Sequence, residues 1–238
     1  MKPILFNTEM VRAILEGRKT VTRRVVKFEK GKNPKWTGYV KDGLTLYNGK
    51  NEPCSLPAPY QVNDILYVRE TWRVGAWDIR KQLIAFDYKD GTCGELVPIH
   101  DSDMFNRLVD QARESARKAK CKYNGVDYVW DKGNSPCQWK PSIHMPKEAA
   151  RLFLKVTDVR VEKLRNMKLE DFIDEGITLT RDQLRNNNTA LCAAREIFKE
   201  LWNSTLGKRG TPEYYSNNYY ANPYVWVIEF EVTDEPTE

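Results

Sequence analysis

The sequence predicts an α+β protein built on a β-barrel, with flanking helices and an inserted helical and loop region. Three observations lead there. Strand-like runs outnumber helical ones. Strands and helices do not alternate regularly, as a doubly wound sheet requires. Residues 73–138 interrupt the pattern with a helix of their own. The chain has 238 residues, 41% hydrophobic and 30% charged, too apolar for disorder and long enough to bury a core without a disulfide or a metal. It reads as one domain over 1–238, with 73–138 as an insertion or subdomain.

The elements follow in order. An apolar start at 4–6 leads to Thr8, which can cap a helix carrying Met10, Val11, Ile14 and Leu15. Gly17 suits the left-handed residue that ends it. The β-branched run at 18–26 reads as loop into strand. Residues 29–60, rich in Gly, Pro, Lys and Asn, read as loop with short strands near 37–40 and 44–47. Residues 65–72 and 83–87 read as strands. Asp103 opens an amphipathic helix with Phe105, Leu108, Val109, Ala112 and Ala116 on one face. Residues 121–141 return to loop. The alternation of Leu152, Leu154 and Val156 predicts a strand over 149–161. A short helix over 169–175 stops at Gly176. A longer one, capped by Asn188 or Thr189, turns Leu191, Ala194, Ile197, Phe198, Leu201 and Trp202 inward and ends before Gly207. Residues 216–222 read as a polar, aromatic loop, and 224–232 as the last strand.

No window approaches the ~20 apolar residues of a membrane helix, and the first residues lack a signal-peptide h-region. A cytoplasmic protein that meets no membrane is expected. The five cysteines lie at least 16 positions apart, and the two histidines are His100 and His144. No clustered metal ligands result, so neither a structural metal nor a cofactor is expected. The net charge of +5 is uneven: +8 over residues 1–50 and −6 over 211–238. A basic first fifth suits an anionic partner, nucleic acid or nucleotide first, and equally a solvated face offset by the acidic end.

Neither a P-loop, nor G-x-G-x-x-G, nor G-x-S-x-G occurs. The sharpest local feature is Gly17-Arg18-Lys19-Thr20-Val21-Thr22-Arg23-Arg24. A lysine desolvated in a pocket loses its proton more readily and acts as a base, and a nearby threonine hydroxyl is then a candidate nucleophile. In a plain strand, positions 19 and 22 face opposite ways, so convergence needs a turn or bulge. The same residues also suit a basic surface loop. Asp174 and Glu175 end a helix, where the dipole disfavours negative charge by ~0.3–1 kcal/mol; a basic neighbour, a site role or simply a solvated helix end accounts for them. Trp72, Trp139, Tyr214, Tyr215, Tyr219, Tyr220, Tyr224 and Trp226 offer ring faces for base stacking as well as core material. Trp139-Lys140-Pro141-Ser142-Ile143-His144-Met145-Pro146 mixes polar and apolar groups as a pocket wall would.

Taken together, G-R-K-T-V-T after the first helix, V-N-D-I-L-Y-V-R-E-T-W, W-K-P-S-I-H-M-P-K-E-A-A-R, D-E-G-I-T and the closing N-P-Y-V-W-V-I-E-F-E resemble the ASCH-domain family of the PUA-like superfamily. The longer members common in bacteriophages and prophages are the most similar, over residues 1–72 and 139–232. The resemblance implies a PUA-like β-barrel with a cleft for RNA, a nucleoside or a modified pyrimidine. Small bacterial members of that family are amidohydrolases that remove the acetyl group of N4-acetylcytidine with a Lys, a Thr and a Glu. Carried onto this chain, those residues are Lys19, Thr22 and Glu175. The implied roles are Lys19 activating Thr22, Thr22 attacking the acyl carbon, and Glu175 handling the proton of the leaving amine. Arg18, Arg23, Arg24, Glu70, Trp72, Ser142, His144 and Trp226 are the expected substrate- or nucleic-acid-binding positions. Two alternatives stand beside the hydrolase: a non-catalytic RNA- or nucleotide-binding module, and a phage-encoded interaction protein that uses the 73–138 insertion.

Overall fold

The computed structural model of the chain describes residues 1–27, 39–41, 45–47, 53–54 and 58–235. In chain order the first elements are β1 (Lys2–Leu5), α1 (Thr8–Leu15), β2 (Val21–Val25), β3 (Tyr39–Lys41), β4 (Thr45–Tyr47), β5 (Pro53–Cys54) and β6 (Ile65–Arg69). Next come β7 (Trp72–Asp78), β8 (Leu83–Tyr88), β9 (Cys93–Pro98), α2 (Ser102–Lys118), β10 (Lys122–Tyr123) and β11 (Tyr128–Val129). The chain closes with β12 (Phe153–Lys163), α3 (Leu169–Asp174), α4 (Asn187–Thr205), α5 (Pro212–Asn217) and β13 (Tyr224–Thr233). The fold is α+β. Among the described residues the strands form several sheets and no closed barrel. Two compact units result: Met1–Arg12, Leu66–Leu154 and Thr233–Glu238 make the first, Ala13–Ile65 and Lys155–Val232 the second.

In the first unit β1 runs parallel to β6, with Lys2 opposite Leu66 and Leu5 opposite Arg69. The expected strand over 65–72 is broken, because Glu70 and Thr71 leave the ladder between β6 and β7. β7, β8 and β9 form an antiparallel meander. β9 was not foreseen: its sequence, Cys-Gly-Glu-Leu-Val-Pro, carries little strand pattern. α2 begins earlier than Asp103, because the Asp101 side chain accepts the Met104 N–H at 3.0 Å and caps it. Its apolar stripe, Phe105, Leu108, Val109 and Ala112, packs with Trp72, Val74, Ile84 and Phe86 in one core.

In the second unit β12, β13 and β2 lie in that order. Cross-strand register places Val21, Arg23 and Val25 opposite Glu229, Val227 and Val225, and Thr22 and Arg24 opposite Ile228 and Trp226. Directly opposed residues share a face. Val21, Val225 and Val227 therefore bury one face against Phe172 of α3 and Phe198 and Trp202 of α4. Thr22, Arg24, Trp226 and Ile228 occupy the other. α4 is capped by Asn186, whose side chain accepts from Thr189 N, and its buried stripe is Ala190, Ala194, Phe198 and Trp202, with Ile197 exposed. Part of the expected loop over 216–222 is helical in α5, where the Thr211 hydroxyl caps and Pro212 sits in the first turn. β3, β4 and β5 make a small antiparallel sheet near the expected short strands. The remainder of 29–57 lies outside the described residues.

Candidate active site

Two helix ends build the site, and both end in the same way. After α1, the Gly17 N–H donates to Ile14 O at 2.9 Å and the Arg18 N–H to Ala13 O at 2.8 Å. After α3, the Gly176 N–H donates to Ile173 O at 2.8 Å and the Ile177 N–H to Phe172 O at 3.1 Å. These are Schellman pairs, and each needs a left-handed residue, here Gly17 (φ 71°) and Gly176 (φ 92°). The exit from α1 then delivers Lys19, which meets Glu175 in an isolated antiparallel bridge. Thr20 N donates to Asp174 O at 2.9 Å and Thr20 O accepts from Phe230 N at 2.9 Å, so the segment is fixed on both sides. A Cβ on Gly176 would lie 3.0 Å from the Ala13 Cβ and 3.2 Å from the Lys19 Cβ, which is how closely the two ends pack.

The Lys19 side chain is fully buried and that of Glu175 nearly so. Lys19 Nζ donates to Glu175 Oε2 at 2.5 Å, to Val21 O at 2.7 Å and to Glu175 O at 3.1 Å. Three N–H groups thus meet three acceptors. Arg23 shares the Glu175 carboxylate: its Nη1 donates to Oε1 at 3.2 Å, while its Nη2 donates to Asp171 Oδ1 at 2.7 Å. Glu175 stands at the unfavourable end of the α3 dipole, and these two cations offset that placement. Desolvation lowers the Lys19 pKa; the Glu175 charge and hydrogen bond oppose this, and the charges of Arg24 and Arg23 reinforce it. Burial likewise lowers the pKa of Arg24, with Tyr60 and Glu175 opposing. The arrangement is a desolvated amine and a carboxylate in direct contact.

Of the three residues expected to converge, Lys19 and Glu175 do. Thr22 is also buried but projects from the opposite face of β2 to Arg23, and among the described residues its hydroxyl makes no hydrogen bond to either partner. The Lys19 amine instead rests on the carbonyl of Val21, one peptide unit away. The expected binding positions are dispersed. Arg18 is partly exposed and bonds Glu16, Gly176 O and Thr178. Arg23 belongs to the buried ion network, so it does not extend an exposed basic groove from Arg18. Arg24 is half-buried. Trp226 is buried and lies directly opposite Arg24 on the neighbouring strand.

Glu70, Trp72, Ser142 and His144 lie in the first unit. Trp72 is a core residue in edge contact with Phe86 at 5.4 Å, so its ring is not an open stacking platform. Glu70 is buried and bound by both nitrogens of the Arg151 fork, at 2.9 Å each. Arg151 also holds Asp90 at 2.7 Å and lies 4.0 Å from the centre of the Tyr88 ring. Burial raises the Glu70 pKa, with Arg151 pulling it back. Glu70 is therefore occupied by protein. Ser142 and His144 sit on a short helical turn, His144 exposed.

Arg151, Asp90 and Asp171 were missed. Arg151 lies within the expected strand over 149–161, and nothing local marks Asp90 or Asp171 as its or Arg23's partner. Among the described residues no group of three His, Cys, Asp or Glu is placed to hold a metal ion, and no helix is long and apolar enough to cross a membrane. No family model, curated protein or solved structure matches this chain.

Proposed function

We propose that this chain is an ASCH-like, PUA-type amidohydrolase that removes the acyl group from N4-acylated cytidine. The observation that carries the reading is the buried 2.5 Å contact of Lys19 with Glu175, with the amine on the peptide that leads into Thr22. In the reactive state the ammonium proton resides on Glu175 and Lys19 is neutral, a form that burial favours. The step requires Thr22 to turn from the opposite face of β2 toward the amine; Lys19 then takes the hydroxyl proton as Thr22 Oγ1 bonds to the acyl carbon. The adduct collapses, the acyl C–N4 bond breaks, and the cytosine amine leaves with the proton from Glu175. Water then attacks the acyl-threonine and gives its proton to Glu175, while Lys19 returns a proton to the Thr22 oxygen. The carboxylic acid departs and both groups regain their starting states.

The test is release of cytidine from N4-acetylcytidine, followed by chromatography. Wild-type protein is expected to turn over, and Thr22→Val to lose at least about 100-fold, the scale of one lost catalytic group. Absence of turnover by wild-type protein, or full activity in a folded Thr22→Val, would overturn the proposal. A second reading, a non-catalytic RNA-binding module, is favoured by one observation: all three N–H groups of Lys19 are engaged, as in a structural ion pair. It predicts RNA affinity that falls steeply with salt and survives Thr22→Val.

A further inference from the structure

The first unit holds a pocket of about 610 Å³ between α2 and the segment 138–146. Trp72, Arg107, Gln111, Trp139, Lys140 and His144 line it, and none of its lining residues is Asp or Glu. The volume suits a small organic ligand. Two cations converge there without a counter-ion. Among the described residues neither Arg107 nor Lys140 pairs with a carboxylate; Lys140 Nζ bonds the neutral Gln111 Oε1 at 2.5 Å and lies 5.1 Å from the centre of the Trp72 ring. Burial lowers the Lys140 pKa, with Cys137 opposing and the charge of Arg107 adding to the fall. Trp72, a core residue 1% exposed, has a buried indole N–H that lacks an acceptor among the described residues. A buried donor left without an acceptor is unfavourable.

The backbone holds this wall firmly. Trp72 and Lys140 exchange both of their peptide hydrogen bonds, N to O at 3.2 Å and 2.7 Å. Trp139 is pinned by Arg73 and Lys89, whose charges lie 4.4 and 4.8 Å from its ring centre. Cations and N–H donors without a single acid select an anion rich in acceptor oxygens, and a guanidinium beside an ammonium matches a phosphate.

We propose that this pocket binds the phosphate of a small phosphate monoester of mononucleotide size. The inference does not depend on the hydrolase reading, since it uses none of Lys19, Thr22 or Glu175.

The experiment titrates the full chain with inorganic phosphate, with cytidine 5′-monophosphate and with a ten-nucleotide single-stranded RNA, by calorimetry at low and at moderate salt. Expected is saturable binding of the mononucleotide, weaker binding of phosphate alone, and affinity that drops as salt rises. Arg107→Ala, at an exposed position of α2, is expected to weaken mononucleotide binding at least tenfold, with Lys140→Met doing the same. Lys81→Ala, at an exposed position of the same unit that does not line the pocket, is expected to leave that affinity unchanged. Failure of both small probes to bind at millimolar concentration would overturn the proposal. So would wild-type affinity in both Arg107→Ala and Lys140→Met, or binding of the RNA alone.

Discussion

Removing Lys19 tests the ion network most directly. Lys19→Met keeps an unbranched apolar stem of similar length and deletes the charge. Glu175, with a side chain only 5% exposed, then loses its contact at 2.5 Å. Breaking a buried pair from one side costs about 3–5 kcal/mol, because the remaining charge is left uncompensated. Here Arg23 stays at 3.2 Å from the same carboxylate, which places the cost near the lower end, about 3 kcal/mol. For a chain of this length that corresponds to a fall in Tm of about 6–12 °C. Glu175→Gln is expected to cost a comparable amount, because the Lys19 ammonium would keep only neutral acceptors. The double variant removes both charges together, so its cost should fall short of the sum of the singles by about 1–3 kcal/mol. Urea unfolding of the four proteins at pH 7 measures the cycle. A Lys19→Met protein within about 0.5 kcal/mol of wild type, a difference typical of surface sites, would refute the reasoning. Strict additivity of the two singles would refute it as well.

Three further outcomes follow from the same structure. Gly176→Ala should destabilise by about 1–3 kcal/mol in thermal melts, because it combines a left-handed backbone with a Cβ 3.0 Å from that of Ala13. Arg151→Lys should destabilise almost as much as Arg151→Met in urea unfolding, since one ammonium does not reproduce a planar fork that reaches two oxygens of Glu70 and one of Asp90. Burial raises the Asp90 pKa, but hydrogen bonds from Arg151 and Thr92 outweigh it and set the folded-state pKa below the ordinary 3.8. The folded state therefore binds fewer protons than the unfolded chain just below that value, so stability contributed by Asp90 is present above pH 3.8 and lost as pH falls through the folded pKa. Asp90→Asn should be less stable than wild type at pH 7, and the gap should close below pH 3.8 in pH-dependent unfolding.

Much of the local structure was legible in the sequence because short-range forces decide it. Periodic apolar residues mark α1, α2 and α4, glycines at 17 and 176 mark left-handed stops, and alternation marks β12. Boundaries moved where a cap lay just upstream: Asp101 rather than Asp103, and Asn186 rather than Asn188 or Thr189. β9 escaped because its residues gain their strand state from pairing with β8, not from their own preference.

For the site, the sequence singled out a lysine just after one helix and a glutamate at the end of another, 156 residues apart. It showed that a carboxylate at a helix C-terminus wants a cation. Which cation reaches it was decided only in the folded chain: Lys19 and Arg23 arrive together, Thr22 turns to the other face of β2, and Glu70 is claimed by Arg151. The physical reason is one of range. Helix periodicity, caps and left-handed glycines act over a few residues, whereas the partner of a buried charge is set by which strands and helix ends packing brings within about 4 Å.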